Sequence, residues 1–238
     1  MRAKDIPEFV ADGAADVGVT GWDLVCESQR KLGVLLDLEF GSCRLVVAAR
    51  DDSSISTVDD LIGSPRVATV FPHLAHRFFE KAGKPVTIVP VSGATEIAPH
   101  LGIADIIVDL TSSGSTLRVH QLHEVATVLE SSARLVCSPS PSKDTARHAD
   151  ELAEALSSVL RARGKRYVMA NVPRESLESA RRVMPGVNGP TVIDILDGGT
   201  YVAVHAVVAQ SAIYRTVADL KLLGAQGILV TRIERLMP

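Results

Sequence analysis

Residues 105–117 read Asp105-Ile-Ile-Val-Asp109-Leu-Thr-Ser-Ser-Gly-Ser-Thr-Leu117. The apolar residues Ile106, Ile107, Val108 and Leu110 run together without polar alternation. That pattern predicts a strand buried on both faces, as in a sheet covered by helices on each side. The strand ends in the carboxylate of Asp109, and Thr111, Ser112, Ser113, Gly114, Ser115 and Thr116 follow in unbroken series. Gly114 lets the backbone turn tightly and approach a ligand. Hydroxyls and backbone N–H groups then converge where a helix is expected to begin, which is the make-up of an anion site. Asp109 is placed to accept hydrogen bonds from sugar hydroxyls. The same residues also fit an ordinary Ser/Thr-rich loop that caps a helix, and spacing does not choose between the two.

Outward from this stretch, strands and helices alternate. Upstream, the pattern predicts strands over 15–20, 43–49, 66–70 and 86–91, and helices over 5–13, 22–32, 72–82 and 96–101, with a further helix starting at 58–61. Downstream, it predicts a strand over 133–137 and a long amphipathic helix over 144–163, ended by Gly164. From residue 165 the pattern changes to strand 166–171, helix 174–184, strand 191–196, a Gly198-Gly199 turn, strand 201–208, helix 212–223 and strand 226–233. That β-α-β-β-α-β order is the ferredoxin-like split unit.

Composition narrows the function. Of 238 residues 46% are hydrophobic and only 4% aromatic, so Val, Ala, Leu and Ile carry the core, a mix that suits buried parallel sheets. A net charge of −3 with no long basic run speaks against a nucleic-acid partner, which needs clustered Lys and Arg. Cys26, Cys43 and Cys137 lack metal-ligand spacing and read as small buried hydrophobes of a reducing compartment. No signal segment or membrane-length apolar run occurs, which predicts a soluble, cytoplasmic chain with no membrane partner.

Several ordered blocks carry a resemblance to a known family. They are Asp5-Ile-Pro-Glu-Phe-Val-Ala-Asp-Gly13, Asp16-Val-Gly-Val-Thr-Gly-Trp-Asp23, Phe40-Gly-Ser-Cys-Arg-Leu45, Arg66-Val-Ala-Thr-Val-Phe-Pro-His73 and Ser92-Gly-Ala-Thr-Glu-Ile-Ala-Pro99. The loop 109–117 follows, then Gly189-Pro-Thr191 and Leu223-Gly-Ala-Gln-Gly-Ile-Leu229. In that order they resemble the long form of the ATP phosphoribosyltransferases, the first enzymes of histidine biosynthesis. The resemblance implies a two-lobed, periplasmic-binding-protein-like α/β catalytic core with a C-terminal ferredoxin-like regulatory domain. The lobes are expected at residues 1–43 with 141–164 and at 44–140, and the regulatory domain at 165–238.

The resemblance also implies transfer of the phosphoribosyl group from phosphoribosyl pyrophosphate to N1 of ATP, with Mg²⁺ arriving on the pyrophosphate rather than in a protein metal site. Asp109, Thr111, Ser112, Ser113, Gly114, Ser115, Thr116 and Leu117 are then the phosphoribosyl-binding loop. Glu96 is a second polar contact, or else a carboxylate complementing a helix start. Thr20, Gly21 and Asp23 are expected to line the cleft from the other lobe. Arg44, Arg66 and Arg77 are open to either phosphate or structural pairing. Asn171, Thr191 and Ala225 sit at positions expected to hold histidine as a feedback inhibitor. Homo-oligomers, from dimers to a hexamer, are implied as well.

The family's opening strand and Lys-Gly-Arg-Leu type loop do not occur in these residues. A late start codon or a fragment of a longer protein is the favoured expectation, ahead of a shortened, impaired enzyme. Two non-catalytic alternatives remain at this level: a two-lobed small-molecule binding protein and a degenerate regulatory subunit. His73 with His76, and His120 with His123, each fall on one face of a helix by spacing. No third ligand stands at useful spacing, so solvated histidines are expected. His205 is read as a strand residue of the tail. No dinucleotide or P-loop pattern follows any strand.

Overall fold

The computed structural model describes residues 1–186, 189–195 and 199–237. Two compact units divide the chain, Met1–Glu154 and Ala155–Pro238.

The first unit opens with helix α1 (Ile6–Ala11), which carries Pro7 in its first turn, and strand β1 (Val17–Gly21). Helix α2 (Trp22–Ser28) is shorter than the 22–32 the sequence predicts, because Gln29 takes a left-handed conformation with φ 57°. The chain then forms β2 (Gly33–Asp37), a strand absent from the sequence reading. Strand β3 (Cys43–Arg50) follows, and the helix expected at 58–61 is a single 3-10 turn closed by a Thr57/Asp60 capping box. Then come β4 (Arg66–Thr69), α3 (Pro72–Lys81), β5 (Thr87–Pro90), β6 (Ile106–Thr111), α4 (Ser115–Val119), β7 (Leu122–Ser131), β8 (Ala133–Cys137) and α5 (Lys143–Ala162). The helix expected at 96–101 is only a 3-10 turn at Thr95–Ile97. Strand β7 is the second element absent from the sequence reading. It overturns the helical pairing of His120 with His123: His120 ends α4 and His123 lies in β7.

Two sheets result. One has the order β1-β8-β2 and is antiparallel throughout. The other has the order β5-β4-β6-β3-β7. Its β4–β5 and β4–β6 pairs are parallel, but β3 pairs antiparallel with both β6 and β7, so the sheet is mixed rather than parallel. Strand β8 completes the β1 sheet, whereas the expected boundaries grouped it with residues 44–140.

Period-two alternation gives the five-stranded sheet two different faces. Leu45, Val47, Val67, Ile106 and Val108 face Phe71, Leu74 and Phe79 in the larger core. Val46, Ala48, Ala68 and Ile107 face Ala98, Ala104, Leu117 and Leu122. The alanines make this second face thin, and the turn at 95–97, the loop 109–117 and α4 lie over it.

The second unit contains β9 (Lys165–Pro173), α6 (Leu177–Val183), β10 (Thr191–Asp194), β11 (Tyr201–Ala209), α7 (Ile213–Leu222) and β12 (Gln226–Arg232). The sheet order β10-β11-β9-β12, all antiparallel, is that of the ferredoxin-like unit. Val168, Ala170, Val172, Val202 and Val204 are buried with Ala180, Met184 and Leu220. Gly198 of the expected turn, and Leu196 of the expected strand, lie outside the described residues.

Candidate functional site

Strand β6 positions the site. Asp109 falls on the thin alanine face, next to Val46 of β3 in register. Its Oδ1 accepts the N–H of Leu110 at 2.8 Å. Burial pushes the carboxyl above the usual carboxylate range; the Leu110 N–H opposes this, while the charge of Glu96 adds to it. Glu96 and Asp109, 13 residues apart in sequence, therefore share one electrostatic environment. Glu96 stands on the 3-10 turn that follows Ala94, itself at φ 52°, and its Oε1 is 4.0 Å from His120 Nε2.

Beyond Asp109 the loop is held from within. Thr111 is buried, and its Oγ1 accepts the N–H of Gly114 at 3.0 Å. Gly114 adopts φ +71°, and a Cβ added there would come to 3.1 Å from Arg118 Nη1 and 3.5 Å from Glu124 Oε1. The Ser113 and Ser115 hydroxyls lie 2.9 Å apart. Ser112, Ser113, Ser115 and Thr116 are exposed, while Leu117 is buried in the thin-face core and anchors α4. The loop thus offers hydroxyls to solvent from a backbone whose turn is fixed.

The structure separates the three arginines the sequence leaves open. Arg66 pairs with Asp105 at 2.8 Å and donates to the Gly102 carbonyl, at the opposite end of the strands from the loop. Arg77 sits on α3 near Cys26. Arg44 lies opposite Thr111 in register, and its guanidinium is gripped by Glu124 at 2.7 and 2.9 Å. Arg44 and Ser112 both line a cavity of about 510 Å³.

The far wall of that cavity was not legible as a site in the sequence. It comprises Asp37 of β2, Ser131 and Ser132, and Arg134 of β8. Arg134 reaches Asp37 at 3.1 Å and lies 5.5 Å over the Trp22 ring. Its Nε is buried without a hydrogen-bond partner among the described residues. The Glu39 N–H, with the Ser132 hydroxyl and Arg134, holds the Asp37 carboxyl below the usual range. A lone polar residue in an apolar strand, such as Arg134, is the one signal sequence reading offers here.

Thr20, Gly21 and Asp23 lie at the α2 end of β1. Thr20 is buried and donates to the Ala3 carbonyl at 2.9 Å. Asp23 is 5% exposed; its carboxylate accepts the Ser131 hydroxyl at 2.5 Å, and its N–H donates back to that oxygen at 3.0 Å. A Cβ at Gly21 would meet Asp23 Oδ1 at 2.4 Å. Thr20 pairs in register with Arg134 and Asp23 bonds Ser131, both of which line the cavity. Among the described residues no group of three or more His, Cys, Asp or Glu side chains is placed to hold a metal. The three thiols are unpaired, and burial raises each of them, which works against nucleophilic use.

In the second unit Asn171 of β9 pairs with Ala203, and Thr191 of β10 pairs with His205, so both lie on the sheet face opposite Val168 and Ala170. Ala225 follows Gly224, at φ +80°, and donates to the Leu220 carbonyl at 3.0 Å. His205 bonds through Nδ1 to the Tyr167 hydroxyl, and its Nε2 is buried without a partner among the described residues.

A family model described as HisG, ATP phosphoribosyltransferase, matches residues 2–158, and one described as HisG, C-terminal domain, matches residues 162–235. The chain is 64% identical over 245 residues to the ATP phosphoribosyltransferase of Gemmatimonas aurantiaca, covering 100% of this chain and 84% of that protein. It is 47% identical over 240 residues to that of Methanocaldococcus jannaschii, covering 99% and 83%. Among solved structures, the ATP phosphoribosyl transferase (HisG:HisZ) complex from Thermotoga maritima aligns with a TM-score of 0.62 at 28% identity, covering 68% of this chain and 78% of that one.

Proposed function

The chain belongs to the ATP phosphoribosyltransferase family, and from that premise we propose which of its residues serve the reaction. The enzyme catalyses the first step of histidine biosynthesis. N1 of the adenine of ATP forms a bond to C1 of phosphoribosyl pyrophosphate, and the C1–O bond breaks with its electron pair leaving on pyrophosphate. Positive charge develops on the ribose ring and negative charge on the leaving group, so the protein acts by positioning and by electrostatics.

The observation that carries the assignment is the loop fixed by Gly114. Ser112, Ser113, Ser115 and Thr116 hold the 5′-phosphate with hydroxyls and N–H groups, while Thr111 and Leu117 keep the loop in shape. Asp109 binds the ribose hydroxyls, with Glu96 beside it. The two carboxylates on the thin face also place negative charge where the oxocarbenium-like ring develops positive charge. Thr20, Gly21 and Asp23 support the opposite wall through Arg134 and Ser131.

Glu130 lines the cavity and offers carboxylate oxygens of the kind a substrate-borne divalent cation takes. Mg²⁺ carried by the substrate would supply neutralisation of the leaving pyrophosphate. We assign residues 17–37 with 133–137 to one lobe and 43–131 to the other. Residues 165–238 form the regulatory unit, with Asn171, Thr191 and Ala225 as contacts for inhibitory histidine. Self-association from dimers to a hexamer belongs to the same reading.

Calorimetric titration with phosphoribosyl pyrophosphate and Mg²⁺ tests the loop. Wild type is expected to bind saturably and Gly114→Asp to lose binding while keeping its fold. Equal binding by both proteins would refute the assignment.

A further inference from the structure

We infer that the second unit carries an oxyanion site of its own, built on Arg166 and Arg232 and suited to inorganic phosphate or pyrophosphate. Both residues lie in the one sheet of that unit, and Asn171 and Thr191 lie on the sheet's other face.

Strands β9 and β12 set Arg166 directly opposite Arg232. In an antiparallel pair, facing residues project to the same side with Cβ atoms about 5 Å apart, and like charges placed so repel each other. Alternation puts Arg166 on the face of Val168 and Ala170, which packs against Ala180, Met184 and Leu220. Neither guanidinium has a carboxylate partner among the described residues. Arg166 donates instead to the carbonyl of its neighbour Lys165, at 2.7 Å. Both arginines line a cavity of about 300 Å³ at the end of α5, where Arg163 adds a third guanidinium. Beyond β12 the chain returns to α5, and the Leu236 N–H donates to the Ser158 carbonyl at 2.8 Å.

The carbonyl end of a helix attracts cations, but α5 does not account for this pair. Its last turn already holds Arg161, and the dipole fades within that turn. The carbonyls of Leu160 and Gly164 are bonded to the N–H groups of Arg163 and Gln210, at 3.0 and 2.7 Å. Two facing arginines thus converge on a recess whose one carboxylate among the described residues, Glu234, is paired with neither. An anion held between them relieves their repulsion and takes charge-assisted hydrogen bonds from both.

Glu234 narrows the choice of anion. A carboxylate repels a fully ionised oxyanion but accepts a hydrogen bond from one that still carries a hydroxyl. Near neutral pH orthophosphate and pyrophosphate carry such a hydroxyl, whereas sulfate has none. The recess has the volume of roughly ten liquid waters, room for either phosphate.

The full chain is titrated by calorimetry with orthophosphate, pyrophosphate and sulfate, in chloride buffers of constant ionic strength. Every protein in that series carries Gly114→Asp, so that loop 109–117 takes no part. The Gly114→Asp parent should bind both phosphates saturably, at one site per chain, and prefer them to sulfate. The tighter of the two identifies the source of the ligand. Arg166→Gln and Arg232→Gln should each weaken binding about ten- to a hundredfold. Arg232→Lys should keep most of it, and Glu234→Gln should erase the preference over sulfate. Thermal melts without the Gly114 change give a second reading. Arg232→Gln, relieved of the facing charge, should melt at or above wild type without phosphate and below it with phosphate.

A folded parent that takes up neither phosphate saturably overturns the site. So does binding that survives both glutamine variants. If Arg232→Gln melts below wild type by the same margin with and without phosphate, the arginines are structural and the inference fails. Arg232 is exposed, so its variants decide the matter even where Arg166→Gln does not fold.

Discussion

Gly114 meets two constraints at one atom. Its φ of +71° disfavours any side chain, and the space where a Cβ would sit is closed to 3.1 Å by Arg118. Gly114→Ala is therefore expected to cost roughly 1–2 kcal/mol in denaturant unfolding, with a larger loss of phosphoribosyl pyrophosphate affinity than of stability. Asp109 makes the opposite exchange. Its pKa is raised in the folded state by burial and by Glu96. Folding then binds its proton more tightly than the unfolded chain does, so this stabilisation is present below the ordinary carboxylate pKa and lost as pH rises through the folded value. Asp109→Asn, which stays neutral, should melt above wild type near pH ~7 and approach it near pH ~3.5, while catalysis falls. A variant less stable than wild type at neutral pH would remove burial as the dominant influence on this carboxylate.

Among the elements, the junction of α2 with the end of β7 depends on Ser131, whose hydroxyl both donates to the buried Asp23 carboxylate and accepts the Asp23 N–H. Ser131→Ala leaves both groups without that partner and should cost roughly 1–3 kcal/mol, measured by urea unfolding. Leu117→Ala removes the anchor of a five-residue helix and should cost roughly 2–5 kcal/mol, with weaker substrate binding because the loop is tethered there. Strands β3, β6 and β8 were legible because their apolar runs are long and sharply bounded. Strand β7 was not, since two register shifts against β3 break its alternation and leave only Leu122 and Ser131 buried. Strand β2 was hidden by the helical pattern that Gln29 cuts short. At the site, the Ser/Thr loop announced itself by composition. The Arg44–Glu124 grip did not, because a pair 80 residues apart has no local signature.

At the scale of the whole molecule, the chain divides into two units, each with its own buried apolar cluster. The β-α-β-β-α-β repertoire of 165–238 was legible in full order, since every strand there is flanked by Gly, Pro or a charged turn. Residues 155–238, produced alone, should fold cooperatively, as a unit with its own core is able to do. Circular dichroism through a thermal melt checks this, and a sloping, non-cooperative trace would show that the unit depends on the rest of the chain. Added histidine should raise the melting temperature of that fragment, in proportion to how far it exceeds its dissociation constant. Asn171→Ala should abolish the shift.

The stacking of Arg134 over Trp22 has a practical consequence. Trp22 is the only tryptophan in the chain, so emission excited at the red edge of indole absorption comes from one place, beneath the guanidinium. A cation held over an indole ring perturbs its excited state, and any rearrangement of Arg134 changes both intensity and colour. The protein thus carries its own unlabelled optical gauge beside a residue that lines the cavity. The three tyrosines, Tyr167, Tyr201 and Tyr214, all in the second unit, are excited only at shorter wavelengths. Two wavelengths are enough to follow the two units separately in one cuvette.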